Sequence, residues 1–259
     1  LAFYRALPSL NKIIVSFSSF QYFKNTVDQI CECLSIHRDY TDHKNTVSFN
    51  KSIQLNSISF KHIGAESNIF TDFDLVINKG DKIAILGQSG SGKSTLIDLV
   101  MGILQPSKGF ITIDDKNIDH SNISSLRNSF GYVPQEIYLY DGSVAENVVF
   151  GREHDNKRLT EVLKLANIYD YLQTQQGIDT VVGEGGAQLS GGQKQRIGIA
   201  RALYHNPEIL VLDEATSALD EETEKSIMNE IYNSVDDKTL IVITHKPSTA
   251  RKCTRKIHI

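Results

Sequence analysis

The chain has 259 residues, enough for one large domain or two modest ones, and 40% of them are hydrophobic, ample for a core. Charges of both signs are spread through it with a net of −4, which gives no electrostatic case for nucleic acid as a main partner. Cys31, Cys33 and Cys253 make no disulfide framework, the Cys31/Cys33 pair lacks the further His or Cys of a zinc site, and no run reaches the ~18 apolar residues of a membrane span. A reducing, cytosolic environment fits best.

Residues 1 to about 35 are crowded with Phe3, Tyr4, Leu7, Leu10, Ile13, Ile14, Phe17, Phe20 and Phe23 at loosely helical spacing, with Pro8 expected to interrupt the first turns. Such a segment needs apolar cover. It reads as a helix capping the following domain or as the cytosolic stub of a membrane domain. The opening "LAFYRALPSL", without an initiator Met or a signal peptide, suggests a piece of something longer. "IHRDYTDHKNT" (36 to about 47) is polar and aperiodic and is assigned as a linker.

From 48 onward strand and helix patterns alternate. In "SIQLNSISF" the apolar phase switches between Leu55 and Ile58, which predicts a bulge. "FDLVI" alternates cleanly through Phe73, Leu75 and Ile77, and "NKGD" supplies a turn. "KIAIL" (82–86), "EILVLD" (208–213) and "TLIVIT" (239–244) are short apolar runs of the buried parallel-strand kind. Together they predict an α/β fold with a parallel sheet and a smaller antiparallel sheet from residues 50 to 80. The basic end "ARKCTRKIHI", with Arg251, Lys252, Arg255 and Lys256, reads as a solvated tail, with a membrane-surface contact as the alternative.

"GQSGSGKST" satisfies the G-x-x-x-x-G-K-[ST] phosphate loop, with a buried strand before it and the helical "STLIDLVMG" after it. Gly87, Gln88, Ser89, Gly90, Ser91, Gly92 and Thr95 form its backbone nest, Lys93 supplies a charge for the β- and γ-phosphates, and the Ser94 hydroxyl suits Mg²⁺. A nucleoside triphosphate with Mg²⁺ is therefore the expected ligand. In "ILVLDEAT", Asp213 ends a buried strand where a carboxylate reaches a metal site. Glu214 follows, expected to point the other way if the strand continues, and suits a general base.

The order of these motifs, with "LSGGQ" (189–193) between the phosphate loop and "ILVLDEATSALD", resembles the nucleotide-binding domain of ATP-binding-cassette proteins over residues 48–259. The resemblance implies a P-loop NTPase with a RecA-like parallel sheet core, an antiparallel β-subdomain and a helical subdomain over about 135–203. It implies ATP and Mg²⁺ as ligands and ATP hydrolysis as the activity. Gln135 in "YVPQ" then matches the loop glutamine that ligates Mg²⁺ and senses the membrane domain. His245 in "VITHK" matches the switch histidine on the γ-phosphate. Asp220 in "SALD" matches the loop that crosses to a partner cassette. Ser190, Gly191, Gly192 and Gln193 match the signature that closes on ATP held by the other cassette, with a helix from about Gln193 to Tyr204 aiming its N-terminus at it.

His62 stands where the family has an aromatic that stacks on adenine, although an exposed strand histidine is the plain alternative, and Ile69 is a further wall of the base pocket. Glu184 in "GEGG" (183–186) falls where exporters carry a coupling loop, but Gly185 replaces the basic residue often found there. "GYVPQEIYLYDGSVAENVVFG" and "AFYRALPSLNKI" look like the exporter branch, and with "GEGGAQLSGGQKQRIGIARALY" they are similar to bacterial lipid-linked oligosaccharide and polysaccharide flippases. The implied partners are a second cassette, as a homodimer, and the membrane domain of the same transporter, at the cytoplasmic face of the inner membrane. A soluble cassette ATPase of the translation-factor or DNA-repair type is the alternative, although neither its second cassette nor its coiled-coil insertion is visible. A degenerate cassette is disfavoured because Lys93, Asp213, Glu214 and His245 are all present. Exporter cassettes usually continue past the switch histidine with another strand pair and a short helix, whereas this chain stops at "CTRKIHI".

Overall fold

The computed structural model describes residues 2–35, 47–88, 90–119, 121–216, 219–234, 238–245 and 250–259. The linker assigned to 36–47 lies, apart from Val47, outside the described residues. The chain divides into two units, Leu1–Asp42 and His43–Ile259.

The first unit is one helix, α1 (Ala2–Ser35), and Pro8 sits inside it without breaking it. The missing proline N–H costs one hydrogen bond near the start of a 34-residue helix, and the turns on either side carry it through. Its large apolar side chains, among them Ile13, Phe17, Phe20 and Phe23, are exposed. No helix among the described residues is long and apolar enough to cross a membrane.

In chain order the second unit contains β1 (Ser52–Phe60), β2 (Phe70–Asn78), β3 (Lys82–Leu86), α2 (Lys93–Val100), β4 (Lys108–Ile113), β5 (Lys116–Asn117), α3 (Ile123–Asn128) and β6 (Phe130–Val133). It continues with α4 (Val144–Val149), α5 (Asn156–Leu165), α6 (Tyr169–Gln173), α7 (Gly191–Tyr204), β7 (Ile209–Asp213), α8 (Glu221–Ser234), β8 (Thr239–Ile243) and β9 (Arg255–His258). One sheet is antiparallel in the order β2-β1-β4-β5, and the other is parallel in the order β6-β7-β8-β3-β9. The bulge in β1 is present, as the register with β2 shifts between Leu55 and Ile58 and again before Phe60.

The parallel strands show why their sequences are continuously apolar. Period-2 alternation sends Ile83, Ile85, Val211, Ile241 and Ile243 into one core with α2 and the antiparallel sheet. It sends Ala84, Leu210, Leu212, Leu240 and Val242 into a second core with α4, α5 and α7. A strand covered on both faces has no polar phase to spare.

The basic end is not a solvated tail. Its strand β9 pairs in parallel with β3 at the sheet edge, Cys253 is buried, and Arg255 reaches Asp81 at 2.6 Å. Ile257 packs against the core under β3 while Lys256 and His258 face water, so a two-residue alternation hides in a segment dominated by charge.

Candidate nucleotide site

The site forms where the parallel strands end. After β3 the chain turns through the glycine loop into α2, and Gly92 caps that helix at φ 101°, a left-handed conformation that a side chain disfavours. A Cβ there would also lie 2.5 Å from Ile69 Cγ2, so Ile69 sits directly against the loop. Lys93 is buried, and its ammonium group folds back to donate to the Gly87 carbonyl at 3.0 Å and the Gln88 carbonyl at 2.6 Å. Ser89 lies outside the described residues. Ser91 Oγ is buried with no hydrogen-bond partner, a polar atom aimed into the loop it closes.

Asp213 ends β7. Ser94 Oγ donates to its Oδ2 at 3.0 Å and the Tyr132 hydroxyl donates to the same oxygen at 3.4 Å. Burial pushes the Asp213 carboxyl above its ordinary range, against the opposing pull of those two hydrogen bonds. Nearby Asp98 is raised as well, first by burial and then by the charge of Asp213.

The strand ends at Asp213, so the condition under which Glu214 would point the other way is not met. The φ of Glu214 is 48°, a conformation that costs a non-glycine residue roughly 1–2 kcal/mol, and its N–H is held by the Ile243 carbonyl at 3.1 Å. The turn swings its carboxylate into the same cleft as that of Asp213 instead of the opposite face. There Gln135 Nε2 donates to Oε2 at 3.0 Å and His245 Nε2 lies 2.8 Å from Oε1.

These groups line a cleft of about 600 Å³. Gly90, Gly92, Lys93, Ser94 and Thr95 form one wall, and Gln135, Asp213, Glu214 and His245 another. His62 and Ile69 stand at its rim; His62 is exposed and meets Phe60 edge-on at 5.1 Å. Tyr132 was missed from sequence, although it stands in the same "YVPQ" as Gln135. Its signal was a tyrosine on a strand adjacent to the one that ends in Asp213.

The signature residues do not line this cleft. Ser190 caps α7 in a reciprocal box, its Oγ accepting from Gln193 N at 3.3 Å while Ser190 N donates to Gln193 Oε1 at 2.7 Å. The helix begins at Gly191, two residues earlier than expected. Asp220 precedes α8 and accepts the Thr223 N–H at 2.9 Å, which holds its carboxyl below the ordinary range. Glu184 begins a single 3₁₀ turn, and Lys194 Nζ holds that turn through the Gly185 carbonyl at 2.8 Å.

A glycine loop between a buried parallel strand and a helix, facing an acidic strand end in the same sheet, defines a P-loop NTPase. The family model described as ABC transporter matches residues 70–217, and the chain belongs to that family, as an ATP-binding domain of the kind that hydrolyses ATP. It is 41% identical over 204 residues to ABC transporter B family member 21 of Arabidopsis thaliana, a match covering 77% of this chain and 16% of the relative. It is 39% identical over 204 residues to the ATP-dependent lipid A-core flippase of Coxiella burnetii, covering 78% of this chain and 35% of the flippase. The chain thus spans about a sixth to a third of the length of these relatives. Among solved structures, a bacterial Atm1-family ABC exporter with ATP bound superposes at a TM-score of 0.85 and 31% identity, over 98% of this chain and 45% of that one.

Proposed function

We propose that residues 48–259 are the ATP-hydrolysing cassette of an exporter or flippase, and that residues 1–47 are the end of its membrane domain and a linker. The observation that carries this reading is the convergence, in one cleft, of Lys93, the Ser94–Asp213 pair, and Glu214 held between Gln135 and His245. The exporter-type relatives and the aromatic-rich α1 support the membrane neighbour.

Bound ATP places its adenine against His62 and Ile69, and its phosphates in the nest from Gly87 to Thr95. Lys93 exchanges its two carbonyl partners for phosphate oxygens. The Ser94 hydroxyl and Asp213 carboxylate are hard oxygen donors 3.0 Å apart, one of them anionic, and fit Mg²⁺, with the Gln135 amide oxygen as a further donor. When bound, that ion neutralises charge on the β- and γ-phosphates.

Glu214 accepts a proton from the water that attacks the γ-phosphorus. The bond to the β-phosphate oxygen breaks and ADP leaves, while His245 donates to the γ-phosphate. Two chains, as a homodimer at the cytoplasmic face of the cell membrane, close on two ATP molecules. Ser190, Gly191, Gly192, Gln193 and Asp220 then serve ATP bound to the other chain. The cargo is a lipid-linked oligosaccharide, by likeness to the flippase branch. Phosphate release from Mg-ATP by the purified protein, measured beside the Lys93→Ala variant, tests the core of this reading; equal rates would overturn it.

A further inference from the structure

We infer that Gly198 and Arg201, on one stripe of α7, form a clamp that seats the Gln135 loop on the helix carrying the signature turn, while Lys194 on the same stripe holds the neighbouring 183–186 turn. Arg201 is then a positioning residue for hydrolysis. The inference deepens the proposed ATPase reading and rests on it.

The three positions are spaced four and three apart, so they share one face of the helix. Each holds a different piece of loop. Lys194 binds the Gly185 carbonyl at 2.8 Å. Gly198 leaves room for Ile137, two residues past Gln135; a Cβ there would lie 2.6 Å from Ile137 Cδ1. Arg201 spreads its guanidinium over three acceptors, with Nη1 on the Tyr138 carbonyl at 3.0 Å, Nε on the Asn147 carbonyl at 2.8 Å and Nη2 on Asn147 Oδ1 at 3.0 Å. Asn147 is fully buried and returns to the same loop, donating to the Tyr140 carbonyl at 3.0 Å and accepting from Tyr140 N at 3.2 Å. The Phe150 ring covers the guanidinium 4.8 Å away.

A planar fork that satisfies three fixed acceptors, two of them on the buried Asn147, has one orientation, so loop and helix keep one relative position. Gln135 touches Glu214 in the cleft, while Ser190 starts the same α7 at its other end. What moves one moves the other.

Two variants test this in the purified protein with Mg-ATP, reading affinity, turnover and amide exchange of the 135–140 and 189–196 segments. Wild type should show both segments changing protection together on ATP addition. Arg201→Met should bind ATP within about twofold of wild type, lose tenfold or more in turnover, and show the 135–140 segment responding without 189–196; Arg201→Lys should recover part of both. Gly198→Ala keeps a sound helix former in α7 and disturbs only the Ile137 seat, so it should lower turnover with no drop in melting temperature. Wild-type turnover in both variants, or loss of turnover matched by loss of ATP affinity and of the fold, would overturn the clamp. A wild-type protein that fails to hydrolyse ATP would instead overturn the ATPase reading beneath it.

Discussion

Asp213 and Glu214 are chain neighbours with different work, and their surroundings set the difference. Glu214 has one partner on each carboxylate oxygen and sits in a strained backbone conformation held by Ile243. Removing only its basicity, in Glu214→Gln, should leave ATP binding intact and reduce turnover by roughly 10²–10⁴-fold, the usual worth of a positioned general base. Steady-state phosphate release and calorimetric ATP binding check both halves. Lys93→Ala should weaken ATP binding by about 10–100-fold, the worth of one charge-assisted hydrogen bond of ~1.5–3 kcal/mol; unchanged affinity by calorimetry would count against the phosphate loop. Asp213 is different because burial raises its carboxyl. Its ionisation therefore opposes folding of the metal-free protein, a cost absent below the ordinary value of 3.8 and growing as pH rises through the raised one. Asp213→Asn should raise the metal-free melting temperature at pH 7, with the difference closing in acid, while Mg-dependent ATP binding is lost. The identities of these residues could be read from motif spacing. The turn at Glu214 could not, because a positive φ on glutamate has no local signal and is imposed by the end of β8.

Strands buried on both faces were legible, since the central positions of β3, β7 and β8 must be apolar on both phases to serve two cores, the polar Lys82, Asp213 and Thr239 standing only at their ends. The strand β9 was not, because four of the last nine residues are Arg or Lys and only Ile257 and Ile259 carry the apolar phase. What recruits it is the open edge of β3, a partner that lies some 170 residues away in sequence. Pro8 misled for the opposite reason, as one local breaker was outweighed by the long helix around it. The junction between α7 and β7 gives a pH prediction. His205 follows α7, with Nε2 3.0 Å from the Phe130 carbonyl and Nδ1 buried without a partner. Burial, then the charge of Arg152, lowers its pKa from 6.5 to about 4, overcoming the hydrogen bond to the Phe130 carbonyl that favours the cation. A depressed histidine pKa contributes stability that is whole above 6.5 and lost as pH falls through about 4. His205→Gln should therefore flatten the decline in melting temperature between pH 7 and 4; an unchanged slope would show that other groups set the acid limb.

The cleft holds everything a phosphate loop needs, yet Ser190 and its glycines do not line it, and the Ser190 hydroxyl is occupied in capping its own helix. The cap makes α7 a rigid N-terminus with its positive end presented outward, which suits a phosphate brought by another molecule. If that molecule is a second copy, the two sites are related by a twofold axis and each is built from two chains. Ser190→Ala should then lose about 1 kcal/mol of capping energy, bind ATP as wild type does, and fail to hydrolyse it. Lys93→Ala fails for the other reason, since it keeps its signature and loses its own ATP. Mixing the two inactive variants should restore about a quarter of the wild-type rate, because half of randomly formed pairs are mixed and each has one intact site of two. A single chain that needs no partner predicts no recovery at any mixing ratio. Phosphate release from the mixture, titrated against total protein, separates the two, since recovery through pairing must also rise faster than linearly with concentration.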